Sequence, residues 1–232
     1  MRIDSHQHFT ARYTPELLFP ILKRNRFDAA VVVCCRDNVA HHFELAANHA
    51  FIRAVVAWAD LDDPNIAGTL DAWRRHPKFR GVTGPVGAGL AELERRNLTL
   101  DLTDPSLVSQ IAERHPRLRI VIGHLGRPPA DPDAWARAVE QAAHYPQVFG
   151  KLSGLITHCP TRWQAEDFRP YVQHVLRHFG PGRLMFGSDW PSYLPEGTFK
   201  ESLAAFTQSI GALPQEVREQ LLGGTAERFY AL

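Results

Sequence analysis

Hydrophobic positions along the chain fall into short runs separated by amphipathic stretches, and the two kinds alternate from end to end. Runs rich in β-branched residues predict strands over Arg2–His8, Asp28–Cys35, Ala54–Leu61, Phe79–Pro85, Leu98–Thr103, Arg119–Gly126, Val148–Leu155 and Leu184–Pro191. Several, such as "AAVVVCC" and "RIVIGHL", are almost uninterrupted apolar runs. Strands covered by helices on both faces have this character, because neither face meets water.

The intervening stretches "SLVSQIAERH", "WARAVEQAAHY" and "FRPYVQHVLRHFG" repeat apolar residues at three- and four-residue spacing, the period of a helix with one buried stripe. Asp63-Pro64, Asp104-Pro105 and Asp131-Pro132 each offer an N-capping acid followed by a proline whose missing N–H costs nothing at a first helical position. Gly180 supplies a helix stop. Stretches "VREQLLGG" and "AERFYAL" close the chain. Eight β/α units in 232 residues, without a linker or repeat, predict one α/β domain over residues 1–232, a compact TIM (β/α)8 barrel that is short enough to be distorted. A doubly wound open sheet is the competing architecture. Its dinucleotide-binding form is disfavoured because no G-x-G-x-x-G follows the first strand.

The barrel reading gives meaning to the polar residues at strand ends, since barrel enzymes keep their chemistry at the C-terminal ends of the strands. His6 and His8 lie two apart at the end of the first strand and share one face. "IVIGHLGRP" presents His124 at the end of the sixth strand, and "LMFGSDWP" presents Asp189 at the end of the eighth. Three neutral imidazoles and a carboxylate suit Zn²⁺ with one position left for water. A lone histidine at a strand end is more often just hydrogen-bonded, so the joint placement of the four carries the argument. Lys151 and Ser153 in "GKLSG" share a face near another strand end. They read as substrate or oxyanion contacts, or else as a lysine whose stem packs while its ammonium reaches water. Trp58 and Trp190 would wall a pocket for a sugar-like ring, or simply pack.

Composition narrows the class. Apolar residues make up 44% and charged residues 22%, with a net charge of +1, so neither nucleic acid nor a membrane surface is an expected partner. No apolar stretch approaches a membrane span and the N-terminus lacks a signal-peptide pattern, which predicts a cytoplasmic protein. Cys34, Cys35 and Cys159 are too few and too poorly spaced for a disulfide framework and read as small buried thiols. His41, His42, His49, His76, His115, His144, His174 and His178 fall on predicted helices or their ends and read as solvated. There is no G-x-S-x-G and no phosphate-binding loop.

The stretches "IDSHQHF", "VVAWADLDDP", "KFRGV", "HPRLRIVIGHLGRP", "VFGKLSGL", "FGPGRLMFGSDWP" and "AERFYAL", in this order, resemble the amidohydrolase superfamily. The branch is that of sugar-acid lactonases and pyrone-dicarboxylate lactonase. The resemblance implies a distorted barrel with His6, His8, His124 and Asp189 as its site, hydrolysis at an ester or lactone carbonyl, and a small-molecule lactone as the partner. Divalent metal use varies within this superfamily. Zn²⁺ is the first expectation and Mn²⁺ the second, with metal-independent catalysis also compatible. Thr83 stands where the branch usually has arginine, which weakens the case for a dicarboxylate substrate, and Arg127 supplies a cation near His124. Asp189 is then the expected general base. His6, His8 and His124 would bind the metal or polarise the carbonyl. A metal-dependent decarboxylase and a non-catalytic ligand-binding barrel are the rival readings, and a homo-oligomer is compatible with all of them.

Overall fold

The computed structural model describes residues 1–36, 38–126, 131–157 and 162–232. Eight parallel strands are hydrogen-bonded in sequence order: β1 (Ile3–Gln7), β2 (Ala29–Val33), β3 (Ile52–Trp58), β4 (Phe79–Thr83), β5 (Thr99–Leu102), β6 (Arg119–Ile122), β7 (Val148–Leu152) and β8 (Leu184–Phe186). Between them run α1 (Pro15–Arg24), α2 (Val39–Asn48), α3 (Ile66–Trp73), α4 (Leu90–Arg95), α5 (Val108–Arg114), α6 (Pro132–Ala143) and α7 (Ala165–Phe179). The chain finishes with α8 (Phe199–Ile210), α9 (Gln215–Glu219) and α10 (Thr225–Tyr230). The segment after β8 returns to β1: Gln7 bridges Trp190, Asp189 N–H donates to His6 O at 2.9 Å, and His8 N–H donates to Trp190 O at 2.8 Å. These bonds bring the two edges together into a nearly closed TIM-type α/β barrel.

Each expected strand overlaps an observed one. Both faces are buried, which is why the runs read as continuous. Val32, Val55 and Ile120 pack outward with helical Leu18, Leu70 and Val172. Ile3, Val31, Val56, Val121 and Met185 line the interior with Phe229 and Tyr230 of α10. That last helix seals the end of the barrel where the strands begin. Gly223 enters it in close contact with the N-terminus, since a Cβ there would lie 2.1 Å from Met1 O and 3.0 Å from Arg2 Cα.

The helix starts follow the Asp-Pro signals unevenly. Asp131 accepts from Asp133 and Ala134 N–H and caps α6 directly. Asp104 accepts from Ser106 N–H but opens a single 3₁₀ turn before α5. Asp63 bonds Asn65 N–H at 2.8 Å and closes a turn, so α3 begins only at Ile66. Gly180 ends α7 with φ 69°, as expected. Among the described residues, no helix is long and apolar enough to cross a membrane.

Candidate active site

The two histidines of β1 owe their direction to an irregularity. Ile3 faces the barrel interior, so strict alternation would send Ser5 and Gln7 inward and both histidines outward. Pairing with β2 shifts register between Asp4 and Gln7. A bulge of this kind re-aims every later side chain. His6 therefore turns inward, its Nδ1 3.4 Å from the Nζ of interior Lys151, and His6 Nε2 lies 3.3 Å from His8 Nε2. Buried Asp4 holds the bulge against the chain after β8. Its Oδ1 accepts from Ser188 N–H (2.7 Å) and His6 N–H (3.3 Å), and its Oδ2 accepts from Ser188 Oγ–H (2.6 Å).

The other two site residues stand where strands end early. β6 stops at Ile122, and His124 and Leu125 adopt φ 54° each. β8 stops at Phe186, and Asp189 adopts φ 66°. Left-handed backbone at non-glycine residues is costly and clusters at functional sites, where it aims side chains that a regular strand could not. Gly154 makes room for His124, because a Cβ there would meet its Nδ1 at 2.5 Å. Ser153 Oγ lies 3.1 Å from the same nitrogen and accepts from His124 N–H.

Asp189 Oδ1 faces all three imidazoles, at 3.5 Å from His8 Nε2 and 3.9 Å from both His6 Nε2 and His124 Nε2. Its Oδ2 accepts from Thr157 Oγ–H at 2.7 Å. Burial opposes ionisation of Asp189, but the His8 bond, the His124 charge and the Thr157 bond outweigh it and hold the carboxyl below its ordinary value. Burial likewise disfavours charge on His8, yet bonds to Asp189 and Cys35 raise it to about 9. His8 Nδ1–H donates to Val33 O at 2.7 Å, which leaves Nε2 turned into the cavity. One donor atom each from His6, His124 and Asp189 lies within 4.8 Å of the others, a spacing that fits a divalent metal.

The structure brings His6, His8, His124 and Asp189 together as their strand-end positions imply. Lys151 is fully buried beneath them, bonded to Asp101 Oδ2 and Ser5 O, so its ammonium does not reach water. Ser153 acts on His124. Trp58 is half-buried at the end of β3 with the Arg36 guanidinium 5.0 Å from its ring centre. Trp190 is only 1% exposed and its ring is covered by Phe9 and Tyr13, so it packs and does not wall a pocket. Arg127 and Cys159 lie outside the described residues. Cys34 is buried as expected, whereas Cys35 is exposed and interacts with His8. His42 is buried, not solvated: Nδ1–H donates to Asn38 O at 2.6 Å, and Nε2 accepts from Phe9 N–H at 3.4 Å, tethering the segment after His8. Sequence reasoning missed Thr157, Asp101, Asp4 and Ser188. Asp4 and Ser188 stand beside recognised site residues, but nothing local shows that they meet.

The amidohydrolase family profile matches residues 3–232. The chain belongs to the amidohydrolase family. It is 31% identical over 278 aligned positions to an L-fucono-1,5-lactonase of Burkholderia ambifaria, covering 100% of this chain and 96% of the relative. An L-fucono-1,5-lactonase of Burkholderia multivorans is 32% identical over 286 positions, with the same coverage. Both alignments are longer than the 232-residue chain, so each includes positions at which the relative has a residue and this amidohydrolase has none. A Zn-bound amidohydrolase from B. multivorans superposes with a TM-score of 0.87 at 32% identity, covering 100% of this chain and 99% of that one. A probable 2-pyrone-4,6-dicarboxylic acid hydrolase from Acinetobacter baumannii shares the fold, with a TM-score of 0.81 at 15% identity over 100% and 99% of the two chains.

Proposed function

We propose that this amidohydrolase opens the ring of a sugar-acid lactone, an aldonolactone of the 1,5 type, with water. The observation that carries the reading is the disposition of Asp189. One carboxylate oxygen is pinned by Thr157 and the other turns towards three imidazoles, with ionisation favoured. The kinship with two L-fucono-1,5-lactonases supports the substrate class.

Asp189 Oδ1 takes a proton from water as the water oxygen bonds the lactone carbonyl carbon. Imidazole N–H groups around the cavity stabilise the resulting oxyanion, where buried donors act most strongly. Collapse breaks the bond to the ring oxygen, which leaves as an alcohol carrying the proton from Asp189. The product is an open hydroxy acid. His6, His124 and Asp189 would hold a divalent metal, their two nitrogens and one oxygen suiting Zn²⁺ first and Mn²⁺ second. Such an ion, when bound, supplies Lewis acidity to the carbonyl and a lower pKa to water. Trp58 with Arg36 is the proposed wall of the substrate pocket.

The test is acid release from a panel of aldonolactones including L-fucono-1,5-lactone, on metal-free and on Zn²⁺- or Mn²⁺-loaded protein. Asp189→Asn should lower kcat by about 10²–10⁴-fold with an unchanged circular dichroism spectrum. Near-normal turnover in that variant removes Asp189 from the mechanism. Release of CO₂ from a carboxylated substrate, with every lactone left intact, would turn the assignment to a decarboxylase.

A further inference from the structure

The outer wall of the barrel is uneven beside β4. α6 runs for 12 residues and α7 for 15, but α4 has only 6. At 1.5 Å per residue α4 is about 9 Å long, half the length of α6. Residues 84–89, between β4 and α4, stand where further helical turns would pack on α5. They leave a cleft of about 320 Å³ between themselves, α4 and α5, a volume at the lower end of the range for small-molecule sites. The loop is tied back from this cleft by its own bonds. Ala88 N–H donates to Asp62 Oδ1 at 3.1 Å, Leu61 N–H to Pro85 O at 3.1 Å and Gly89 N–H to Leu61 O at 2.7 Å. Gly87 lies so close to Asp62 that a Cβ would stand 2.0 Å from its Oδ1.

The lining is amphipathic. Leu107, Gln110, Ile111 and Arg114 face the cleft at the three- and four-residue spacing of one helical face, and Val86 and Leu90 face it from the other side. Leu107 remains 37% exposed, so an apolar ligand would take its surface from water. Arg114 and His115 stand at the end of the stripe. Among the described residues, no side chain or carbonyl pairs with the Arg114 guanidinium. His115 Nδ1 lies 3.6 Å from Glu94 Oε2, and Glu94 Oε1 accepts from Arg117 N–H at 2.8 Å. One guanidinium matches one carboxylate through two parallel N–H···O bonds. The Glu94 charge beside it disfavours a dianion such as phosphate.

We propose that this cleft is a second binding site, which takes a small monocarboxylate with a branched or cyclic aliphatic body. The body lies on Val86, Leu90, Leu107 and Ile111, and the carboxylate reaches Arg114. From Leu107 to Arg114 the chain rises about 10 Å, room for a six-membered ring and its carboxylate. None of His6, His8, His124, Asp189 or Trp58 lines the cleft, so its occupancy does not depend on the lactone-opening reading.

The test is isothermal titration calorimetry of the full-length protein with cyclohexanecarboxylate. One site with a Kd below about 1 mM is expected. No saturable binding up to about 10 mM overturns the proposal. Arg114→Gln, at an exposed position, should weaken binding at least about tenfold, because a charge-assisted hydrogen bond is lost. Gln110→Trp sets an indole in the cleft and should abolish binding. Both variants should unfold within about 2 °C of the wild-type protein. Binding that survives Arg114→Gln and Gln110→Trp lies elsewhere and refutes the assignment. If Gln110→Trp fails to fold, Arg114→Gln decides alone. Cyclohexanecarboxamide, which lacks the charge, and gluconate, which lacks the apolar body, should each bind at least about tenfold more weakly. Equal affinity for either one overturns the stated ligand chemistry. So does inorganic phosphate if it displaces the acid at comparable concentration.

Discussion

Ser188→Ala tests how the site is held. The substitution removes the hydroxyl that donates to Asp4 Oδ2 at 2.6 Å and accepts from Trp190 N–H at 3.0 Å. Asp4 keeps the backbone donors of Ser188 and His6 on its other oxygen. A hydrogen bond to a charged group contributes about 1.5–3 kcal/mol. In a chain of this length each kcal/mol moves Tm by about 2–4 °C, so Tm at pH 8 should fall by about 3–12 °C. The pH dependence is the sharper readout. Burial pushes the Asp4 carboxyl up to about 6, against the pull of the Ser188 bonds. A raised carboxyl gives stability that is fully present below its ordinary value of about 4 and is lost as pH rises through 6, about 3 kcal/mol over that window. Without the Ser188 hydroxyl the carboxyl rises further and the ionised form loses more. The Tm deficit of the variant should therefore be larger at pH 8 than at pH 5, where Asp4 is largely protonated in both proteins. Because Asp189 follows immediately, kcat/KM should also fall, by about tenfold. Calorimetry at the two pH values checks this. Equal deficits at pH 5 and 8, or a deficit below about 1 °C at both, would refute the role of an ionised Asp4 as the lock between β1 and the site loop.

Thr157→Val removes a donor that helps to hold Asp189 below its ordinary value, so the acid limb of the kcat/KM–pH profile should move to higher pH; an unmoved limb would separate Thr157 from Asp189 ionisation. Stability from a depressed carboxyl is present above its ordinary value and lost as pH falls through the depressed one, so the variant should also lose most stability near neutral pH. Gly223→Ala sets a methyl group 2.1 Å from Met1 O at the far end of the barrel, and should cost about 1–3 kcal/mol in denaturant unfolding while leaving kcat/KM unchanged in the folded fraction.

The sequence by itself determined the alternation of strands and helices, the barrel and the four strand-end residues His6, His8, His124 and Asp189. These follow from local patterns: apolar runs buried on both faces, amphipathic stretches between them, and a polar residue where an apolar run stops. It could not show that the direction of "DSHQH" depends on a bulge, because alternation from Ile3 alone would point both histidines out of the barrel. Nor could it pair Asp4 with Ser188, 184 positions away, or Lys151 with His6, 145 positions away. Barrel closure decides both contacts. The burial of Lys151 and His42 is equally tertiary, since a lysine or histidine looks the same in sequence whether it ends in water or on an oxygen inside the core. Local chemistry thus named the groups of the site. Only the closed barrel, by bringing distant strand ends within a few ångströms, decided which nitrogen of each ring faces the cavity and which carboxylate holds it there.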